Sequence, residues 1–188
     1  MGKIQSEEYY NRILKIEWGR YSKGPYAARD KLLADMLRPH NPVRVIEVCG
    51  AEGYLAKLLV DSCPTIQRYL LSDFSAYAIE RMKPLASPKL EVRRIDVDKE
   101  YGTIDFYPFD TFICTALEHV QFDRELLSAL EEGTTVALSL PTTNAVEHIR
   151  FYPTFHDVET RYSGILKILE KQEYPAGKKL SFIGVKLP

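Results

Sequence analysis

The segment 43–59 constrains the fold of this chain more than any other part of it. It opens after Pro42 with a short apolar run rich in β-branched residues, which is typical of a buried strand. It closes with apolar residues at helical spacing over 54–59. A turn of small residues, including Gly50 and Gly53, joins the two parts. A strand that turns on glycines into a helix predicts a ligand site, because the backbone can approach the ligand closely and the helix N-terminus offers unpaired N–H groups.

The residues around this turn argue against a phosphate ligand. A dinucleotide fingerprint requires Gly-x-Gly-x-x-Gly, and a P-loop requires Lys-Ser/Thr after its last glycine, whereas Tyr54 and Leu55 follow Gly53 here. The strand ends near Glu47, and an acid at the mouth of the turn repels phosphate. Glu47 therefore favours a cationic or hydroxyl-bearing ligand, such as the amino group of S-adenosylmethionine (SAM).

The pattern Glu47-x-x-Gly50-Ala51-x-Gly53 resembles the first motif of the class I SAM-dependent methyltransferases. That family usually shows an acid followed by three alternating glycines. Here Cys49 and Ala51 occupy the first two glycine places, and Gly53 falls on the third. An alanine at the middle place is similar to the nodulation-type N-methyltransferases. The resemblance implies a methyltransferase of small-molecule type with SAM as its cofactor.

The next two strands continue the resemblance. Asp73 ends the first of them about 20 residues after Gly53, the interval expected for a ribose-binding carboxylate in such folds. Asp73-Phe74-Ser75 is also similar to the family's second motif, which implies that Phe74 stacks on adenine. Alternatively, Asp73 only caps the helix that begins at Ser75. The segment 90–98 alternates and ends in acids, which predicts a third strand. Its Asp96 falls where the family has an adenine-contacting aspartate, and a simple turn residue is its alternative.

A fourth strand is predicted over 109–115, and it resembles the family's Phe-Asp-x-Ile/Val strand. It runs into Glu118-His119, a pair that recurs in many O- and N-methyltransferases. The carboxyl ends of strands face the ligand crevice in a doubly wound sheet, so His119 is expected to be a general base or to orient the substrate. The alternative is that His119 contacts the cofactor or holds Glu118 without transferring a proton.

The polar and aromatic stretch 142–152 follows a fifth strand and should contact the substrate. His148, Arg150 and Tyr152 are its candidate residues. Alternatively, His148 and Arg150 are ordinary surface residues.

Residues 4–38 read as two helices with a break over 19–25. Trp18, Arg20 and Tyr21 lie at this break. One interpretation is a packed helical cap. The other is a lid over the cofactor, in which aromatic faces hold the sulfonium and Arg20 pairs with the methionyl carboxylate.

The whole chain is predicted to be a single α/β domain over 1–188, with an N-terminal helical cap over 1–40 and a SAM-binding core over 41–188. The segments 166–174 and 180–186 alternate around a turn at 175–178, which predicts a terminal hairpin. The expected fold is Rossmann-like and doubly wound, with a mostly parallel seven-stranded sheet that ends in a C-terminal antiparallel hairpin. The resemblance extends in order over roughly 44–186.

These observations predict SAM-dependent methyl transfer to an amine or hydroxyl of a small-molecule acceptor. The candidate catalytic residues are His119, His148 and Tyr152, and Arg150 is the candidate substrate contact. No metal is expected. The cofactor is expected to contact the glycine turn, the strand ends and the cap, namely Glu47, Gly50, Ala51, Gly53, Asp73, Phe74, Asp96, Val97, Thr115, Trp18, Arg20 and Tyr21.

Composition limits the partners. A net charge of −1 and a sequence pI near 6.4 provide no general attraction to nucleic acid or anionic membrane. We find neither a signal peptide nor an apolar run long enough to span a bilayer. The three cysteines form no C-x-x-C pair and read as reduced thiols, which favours a cytoplasmic protein.

Three other classes stay open. A metal-dependent enzyme would use acidic and imidazole side chains that lack H-x-x-x-H spacing, namely Glu118, His119, His148 and His156. An RNA methyltransferase would rely on two basic pairs in the sheet region, Arg93-Arg94 and Lys178-Lys179. A SAM-binding protein without catalysis would explain why Cys49 and Ala51 stand at glycine places.

Overall fold

The computed structural model describes residues 5–145, 148–174, 176 and 178–188, and within them one sheet has seven strands. The strands are β1 (Arg44–Val48), β2 (Arg68–Asp73), β3 (Leu90–Arg94), β4 (Thr111–Cys114), β5 (Thr135–Pro141), β6 (Leu166–Tyr174) and β7 (Lys179–Lys186). The helices are α1 (Glu7–Glu17), α2 (Gly24–Leu37), α3 (Tyr54–Ser62), α4 (Ala76–Met82), α5 (Val97–Glu100), α6 (Asp123–Ser128) and α7 (Phe155–Arg161). Short 3₁₀ turns occupy Arg38–His40, Lys83–Leu85 and Leu117–His119.

The strand order is β3-β2-β1-β4-β5-β7-β6. β1 to β5 run parallel, and β7 is antiparallel to both β5 and β6. The predicted fold class is therefore confirmed, including the C-terminal hairpin, although Pro175 and Gly177 of its predicted turn lie outside the described residues. The chain leaves β1 toward β2 and later returns to β4 on the other side. The carboxyl ends of β1 and β4 thus flank the switch point where ligands bind in such sheets.

Both faces of the sheet are buried, because alternate residues of each central strand pack against different helices. Val45 of β1 belongs to the cluster that also contains Leu33 of α2 and Leu59 of α3. Its neighbour Ile46 belongs to the opposite cluster, with Leu126 of α6. All five side chains are fully buried. This two-sided burial explains why the parallel strands read as continuous apolar runs rather than as alternating ones.

The predicted N-terminal cap is present as α1 and α2. Ser6 begins α1, since its hydroxyl accepts a hydrogen bond from the N–H of Tyr9 at 3.3 Å. Gly19 and Gly24, with φ of 88° and 54°, form the break between the two helices. Asn11 fastens α1 to the start of α4, because its Oδ1 accepts from the Ser75 hydroxyl at 2.6 Å.

One boundary differs from the prediction. The alternating pattern over 90–98 predicts one strand, but β3 ends at Arg94, and α5 begins at Val97. The Glu100 side chain accepts a hydrogen bond from the N–H of Asp96 at 2.7 Å, which stabilises the first turn of this helix. Among the helices of the described residues, none combines the length and apolar character needed to cross a membrane.

Candidate functional site

A cavity of about 910 Å³ lies between the cap and the carboxyl ends of the parallel strands. Its size falls in the range of small-molecule and cofactor sites, roughly 300–1,000 Å³. The predicted site residues that line it come from the cap, the glycine turn and the loops after β2, β4 and β5, namely Arg20, Tyr21, Ala51, Asp73, Phe74, Thr115, His119 and His148.

The glycine turn has a left-handed backbone at the places where the family resemblance puts glycine. The φ angles of Cys49, Ala51 and Gly53 are 57°, 49° and 68°. A non-glycine residue pays about 1–2 kcal/mol in this conformation, so the chain keeps the backbone shape of the motif despite its side chains. Gly50 is required for space, because a Cβ there would lie 2.3 Å from Cδ1 of Leu71.

Asp73 connects the turn to the end of β2. Its Oδ2 accepts a hydrogen bond from the N–H of Ala51 at 3.0 Å, and its Oδ1 accepts from the N–H of Ser75 at 2.9 Å. The N-cap of α4 is Ser75 itself, whose hydroxyl accepts from the N–H of Ala78. Asp73 lines the cavity, and burial raises its pKa although the backbone hydrogen bonds oppose the shift.

Glu47 does not lie where the sequence suggested. Its carboxylate is 2% exposed beneath the turn, and it accepts a hydrogen bond from the Tyr69 hydroxyl at 2.6 Å. It borders a separate void of about 40 Å³ together with Arg29 and Asp30. Because side chains alternate along β1, Glu47 shares the face of Val45, which packs toward α2 and α3. Burial raises the pKa of Glu47 to about 8, and its contact with a cofactor amino group stays a prediction.

Four ionisable side chains meet at the other end of the cavity, and we call them the acceptor-side cluster: Glu118, His119, His148 and Lys179. Nζ of Lys179 lies 2.6 Å from Oε1 of Glu118. The Nε2 atoms of His148 and His119 lie 3.8 and 4.0 Å from the same oxygen. Oε2 of Glu118 is buried and has no hydrogen-bond partner among the described residues.

Burial and the neighbouring charges determine the protonation states of Glu118, Lys179 and His148. Burial alone would raise the pKa of Glu118, but the charges of Lys179 and His119 hold it below its usual value. Burial lowers the pKa of the Lys179 ammonium despite the adjacent carboxylate. Burial also lowers the pKa of His148. Glu118 is therefore an ionised buried carboxylate and His148 a neutral imidazole at neutral pH.

The imidazoles are held on their other ring nitrogens. Nδ1 of His119 shares a hydrogen bond of 2.8 Å with the hydroxyl of Tyr10. The ring of Tyr10 also packs edge-on against Phe74, with centroids 5.2 Å apart. Nδ1 of His148 donates to the carbonyl oxygen of Thr143 at 3.2 Å. Tyr10, on cap helix α1, thus contacts both the candidate adenine-stacking ring and the candidate base.

Glu52 connects the glycine turn to the cap. Its Oε1 accepts hydrogen bonds from the N–H groups of Gly19 at 2.7 Å and Tyr21 at 3.1 Å, and its Oε2 accepts from that of Ser22 at 3.2 Å. The loop between α1 and α2 is therefore fixed over the turn. Within that loop Arg20 forms an exposed ion pair with Glu17.

Arg150 and Tyr152 lie behind the cavity rather than in its lining. Arg150 donates to the carbonyl oxygen of Gln121 at 3.1 Å and pairs with Asp123 at 3.0 Å. The Tyr152 hydroxyl is 2.8 Å from that of Tyr162, which in turn donates to Asp123 at 2.9 Å. The placement of both residues differs from the prediction, because their polar groups brace the loop after β5 against α6.

Further cofactor candidates also lie outside the lining of the large cavity. Trp18 packs edge-on against Tyr77, with centroids 5.7 Å apart. Asp96 pairs with Lys99 at 2.6 Å, and Val97 belongs to the core. Gly50 borders the small void with Glu47, and Gly53 is the N-cap of α3.

Sequence reasoning missed Tyr10, Arg29 and Lys179 as residues of the cavity. Tyr10 fits the helical pattern of α1, and Lys179 forms part of a basic pair, so neither residue stands out in the sequence as part of a site. Arg29 is 6% exposed on α2, and its Nε donates to Asp30 at 2.8 Å. The available signal was an Arg-Asp pair within an otherwise apolar helix, because such charges are buried only when paired.

The sheet order and the position of the cavity define the fold of the class I SAM-dependent methyltransferases. Comparison with solved structures confirms this resemblance. NodS, an N-methyltransferase of Bradyrhizobium japonicum in complex with S-adenosyl-L-homocysteine, matches with a TM-score of 0.69 and 16% identity over 95% of this chain and 98% of NodS. Human N-acetylserotonin methyltransferase in complex with SAM matches with a TM-score of 0.62 and 13% identity, over 97% of this chain and 57% of the human chain.

Sequence comparison gives a weaker likeness. No family model matches the chain. Protein-L-isoaspartate O-methyltransferase 1 of Marinobacter nauticus is 28% identical over 152 residues, covering 76% of this chain. The match spans 64% of the length of that relative, which is less than two thirds.

Proposed function

We propose that this protein binds SAM in the large cavity and transfers its methyl group to an amine or hydroxyl of a small-molecule acceptor. The observation that carries the proposal is the single cavity at the switch point of the sheet, lined at one end by Asp73 and Phe74 and at the other by the acceptor-side cluster. The two structural relatives named above were solved with SAM or its demethylated product, which supports the same cofactor here.

The cofactor would lie along the ends of β1 and β2. Asp73 keeps lone pairs for ribose hydroxyls, since each of its oxygens accepts one backbone hydrogen bond. Phe74 offers an aromatic face beside it for adenine. Arg20 and Tyr21 line the cap side of the cavity, where the methionyl portion and its sulfonium would lie.

The acceptor would then occupy the end of the cavity near His119 and His148. Transfer is an in-line displacement, in which the acceptor takes the methyl group and the sulfonium becomes a neutral thioether. The protein contributes mainly proximity and alignment to such a step. An amine or hydroxyl must also lose a proton, and His119 is the candidate base. Tyr10 would orient its ring through the hydrogen bond to Nδ1.

The charges of the described surface favour a small acceptor over RNA. Both basic pairs noted in the sequence are largely engaged by acids: Arg93 pairs with Glu91, Arg94 with Glu7 and Lys179 with Glu118. A SAM-binding protein without catalysis is the other alternative. His119, the candidate base at the acceptor end of the cavity, supports catalysis instead.

Calorimetric titration with SAM and with S-adenosylhomocysteine tests the proposal. We expect micromolar binding by the wild-type protein and at least about tenfold weaker binding by Asp73→Asn, because ribose hydrogen bonds to a carboxylate are charge-assisted. Asp61→Asn, an exposed acid on α3, is the matched control and should bind normally. The absence of binding to either ligand would overturn the proposal.

A further variant tests the role of His119. His119→Gln should bind SAM within about twofold of wild type, yet transfer labelled methyl groups to a panel of amines and alcohols at least about 100-fold more slowly, as is typical when a general base is lost. Full activity of this variant would remove His119 from that role.

A further inference from the structure

We propose that Glu118, His119 and His148 bind one divalent transition-metal ion of the zinc class at the acceptor end of the cavity. The inference deepens the proposed function and rests on it for the purpose of the site. The main sequence-based expectation included no metal, and a metal-dependent enzyme that uses Glu118, His119, His148 and His156 was one of its open alternatives. Three lines of geometry carry it.

The first is the proximity of the donors. One ligand atom from each of the three residues lies within 4.8 Å of the others. In a tetrahedral zinc site, metal–ligand distances of about 2.0–2.2 Å put the donor atoms roughly 3–3.5 Å apart. The 3.8 and 4.0 Å separations between the imidazole Nε2 atoms and Glu118 therefore need only small side-chain movements to close around an ion. Two imidazoles and a carboxylate are the protein ligands of many catalytic zinc sites.

The second is the support behind the imidazoles. Metal-binding histidines almost always use their other ring nitrogen in a hydrogen bond to an oxygen, which fixes the ring. A carbonyl oxygen only accepts, so the contact with Thr143 places the proton of His148 on Nδ1 and the lone pair on Nε2. Nδ1 of His119 is hydrogen-bonded to the Tyr10 hydroxyl, and its Nε2 points toward Glu118. When that hydroxyl accepts the bond, the lone pair of His119 lies on Nε2 as well. Both imidazoles thus have the outer hydrogen bond at Nδ1 that metal-binding histidines usually have.

The third is the unpartnered carboxylate oxygen of Glu118. The residue is 2% exposed, and Lys179 occupies only Oε1. Oε2 is buried without a hydrogen-bond partner among the described residues, which is uncommon for a carboxylate oxygen. Both imidazole Nε2 atoms lie nearest to Oε1, which also contacts Lys179, so a rotation of the carboxylate would bring the unpartnered Oε2 to the ion.

Lys179 places a limit on the affinity. Its ammonium is a like charge next to the ion, so it should weaken metal binding without preventing it. The three donors line an open cavity, which leaves a coordination position for an acceptor oxygen. A hydroxyl bound there would become more acidic. In that state Nε2 of His119 is a ligand, and His119 is no longer the base.

Calorimetric titration of chelator-treated protein with Zn²⁺ tests the site. We expect one ion per chain, with the affinity reduced at least about tenfold in His119→Gln and in His148→Gln. His156→Gln is the matched control, because His156 lies on α7 outside the cluster, and it should bind as wild type does. Cys49→Ser should also bind normally, which places the ion away from the thiol in the cavity. Lys179→Met should bind Zn²⁺ more tightly.

Thermal unfolding provides a second readout that does not depend on activity. Zn²⁺ should raise the Tm of the wild type and of His156→Gln, because an ion bound only by the folded state stabilises it. His119→Gln and His148→Gln should fold but show little rise. The absence of stoichiometric binding, or binding that survives both histidine substitutions, would overturn the metal site.

SAM titration of the same metal-free samples separates the two proposals. SAM binding without Zn²⁺ binding would overturn the metal site and leave the proposed function with His119 as base. Zn²⁺ binding without SAM binding would support the metal site and overturn the proposed cofactor.

Discussion

Two buried glutamates lie close to the cavity, and their surroundings give them opposite charge states. Glu47, beneath the glycine turn, and Glu118, in the acceptor-side cluster, are each 2% exposed. Burial raises the pKa of Glu47 to about 8, and the hydrogen bond from the neutral hydroxyl of Tyr69 opposes this rise only in part. Glu118 is equally buried, but Lys179 and His119 hold its pKa below the usual value.

The comparison shows that burial alone does not decide the charge of a carboxyl group here. The difference comes from the partner, a phenol in one case and an ammonium in the other. The carboxyl group of Glu47 beneath the glycine turn is consequently neutral, and the residues that line the cavity on this side include Ala51 and Asp73. The acceptor side keeps its charge and is the side suited to moving protons or holding cations.

The largest expected effect concerns the proton on Glu47. The unfolded chain ionises this residue near its ordinary pKa of 4.5, whereas the folded protein keeps the proton up to about pH 8. The unfolding free energy of the wild type should therefore fall, by several kcal/mol at most, as the pH rises between these values. Glutamine cannot ionise, so the stability of Glu47→Gln should depend less on pH over this range. Urea denaturation at several pH values measures the difference.

Glu80→Gln is the matched control for this experiment, because Glu80 is an exposed acid on α4. It should retain the pH dependence of the wild type. If the wild type and Glu47→Gln showed parallel pH profiles, Glu47 would be ionised in the folded protein, and the contrast with Glu118 would disappear.

The second effect concerns the partner of Glu118. Lys179→Met leaves an ionised carboxylate buried without its ammonium, and we expect a loss of about 3 kcal/mol in unfolding free energy, measured in the presence of a chelator. The double variant Glu118→Gln/Lys179→Met should regain most of this loss, since neither charge is then left alone. Lys57→Met breaks an exposed pair with Asp61 and should change stability little. An additive double variant would show that the two charges are not coupled.

The smallest effect concerns the partner of Glu47. Tyr69→Phe removes one hydroxyl and leaves the buried ring in place, so it should cost about 1–2 kcal/mol through the lost hydrogen bond. Tyr107→Phe is the control, because Tyr107 is 78% exposed. A Tyr69 variant as stable as wild type would mean that the hydroxyl does not support Glu47.

The sequence predicted those parts of the molecule that are encoded locally. The glycine turn lies within a few residues, and Asp73 with Phe74 follows it at a characteristic interval. Ala51, Asp73 and Phe74 line one cavity, whereas Gly50 and Gly53 do not, and the cofactor contacts of all five stay predictions. The fold class followed from the succession of elements together with the family resemblance. The sequence placed Glu47 at the end of the strand, but its burial beneath the turn depends on packing that no local pattern encodes.

The acceptor-side cluster could not be assembled in the same way. Lys179 is 61 residues from Glu118, and Tyr10 is 109 residues from His119. No local pattern marks such pairs, since only the antiparallel return of β7 and the packing of α1 bring them together. Arg150 and Tyr152 illustrate the reverse case, because they follow a strand end as expected but pack against α6.

Glu52 accepts three hydrogen bonds from the loop at Gly19, Tyr21 and Ser22, and these bonds affect how a bound molecule leaves the cavity. The residue belongs to the glycine turn, yet its contacts hold the cover of the cavity. Lifting that cover to let a bound molecule depart means breaking the contacts of one carboxylate together, so departure should be an all-or-none event with its own waiting time. If this opening is slower than methyl transfer, it sets the rate at which the protein completes successive cycles.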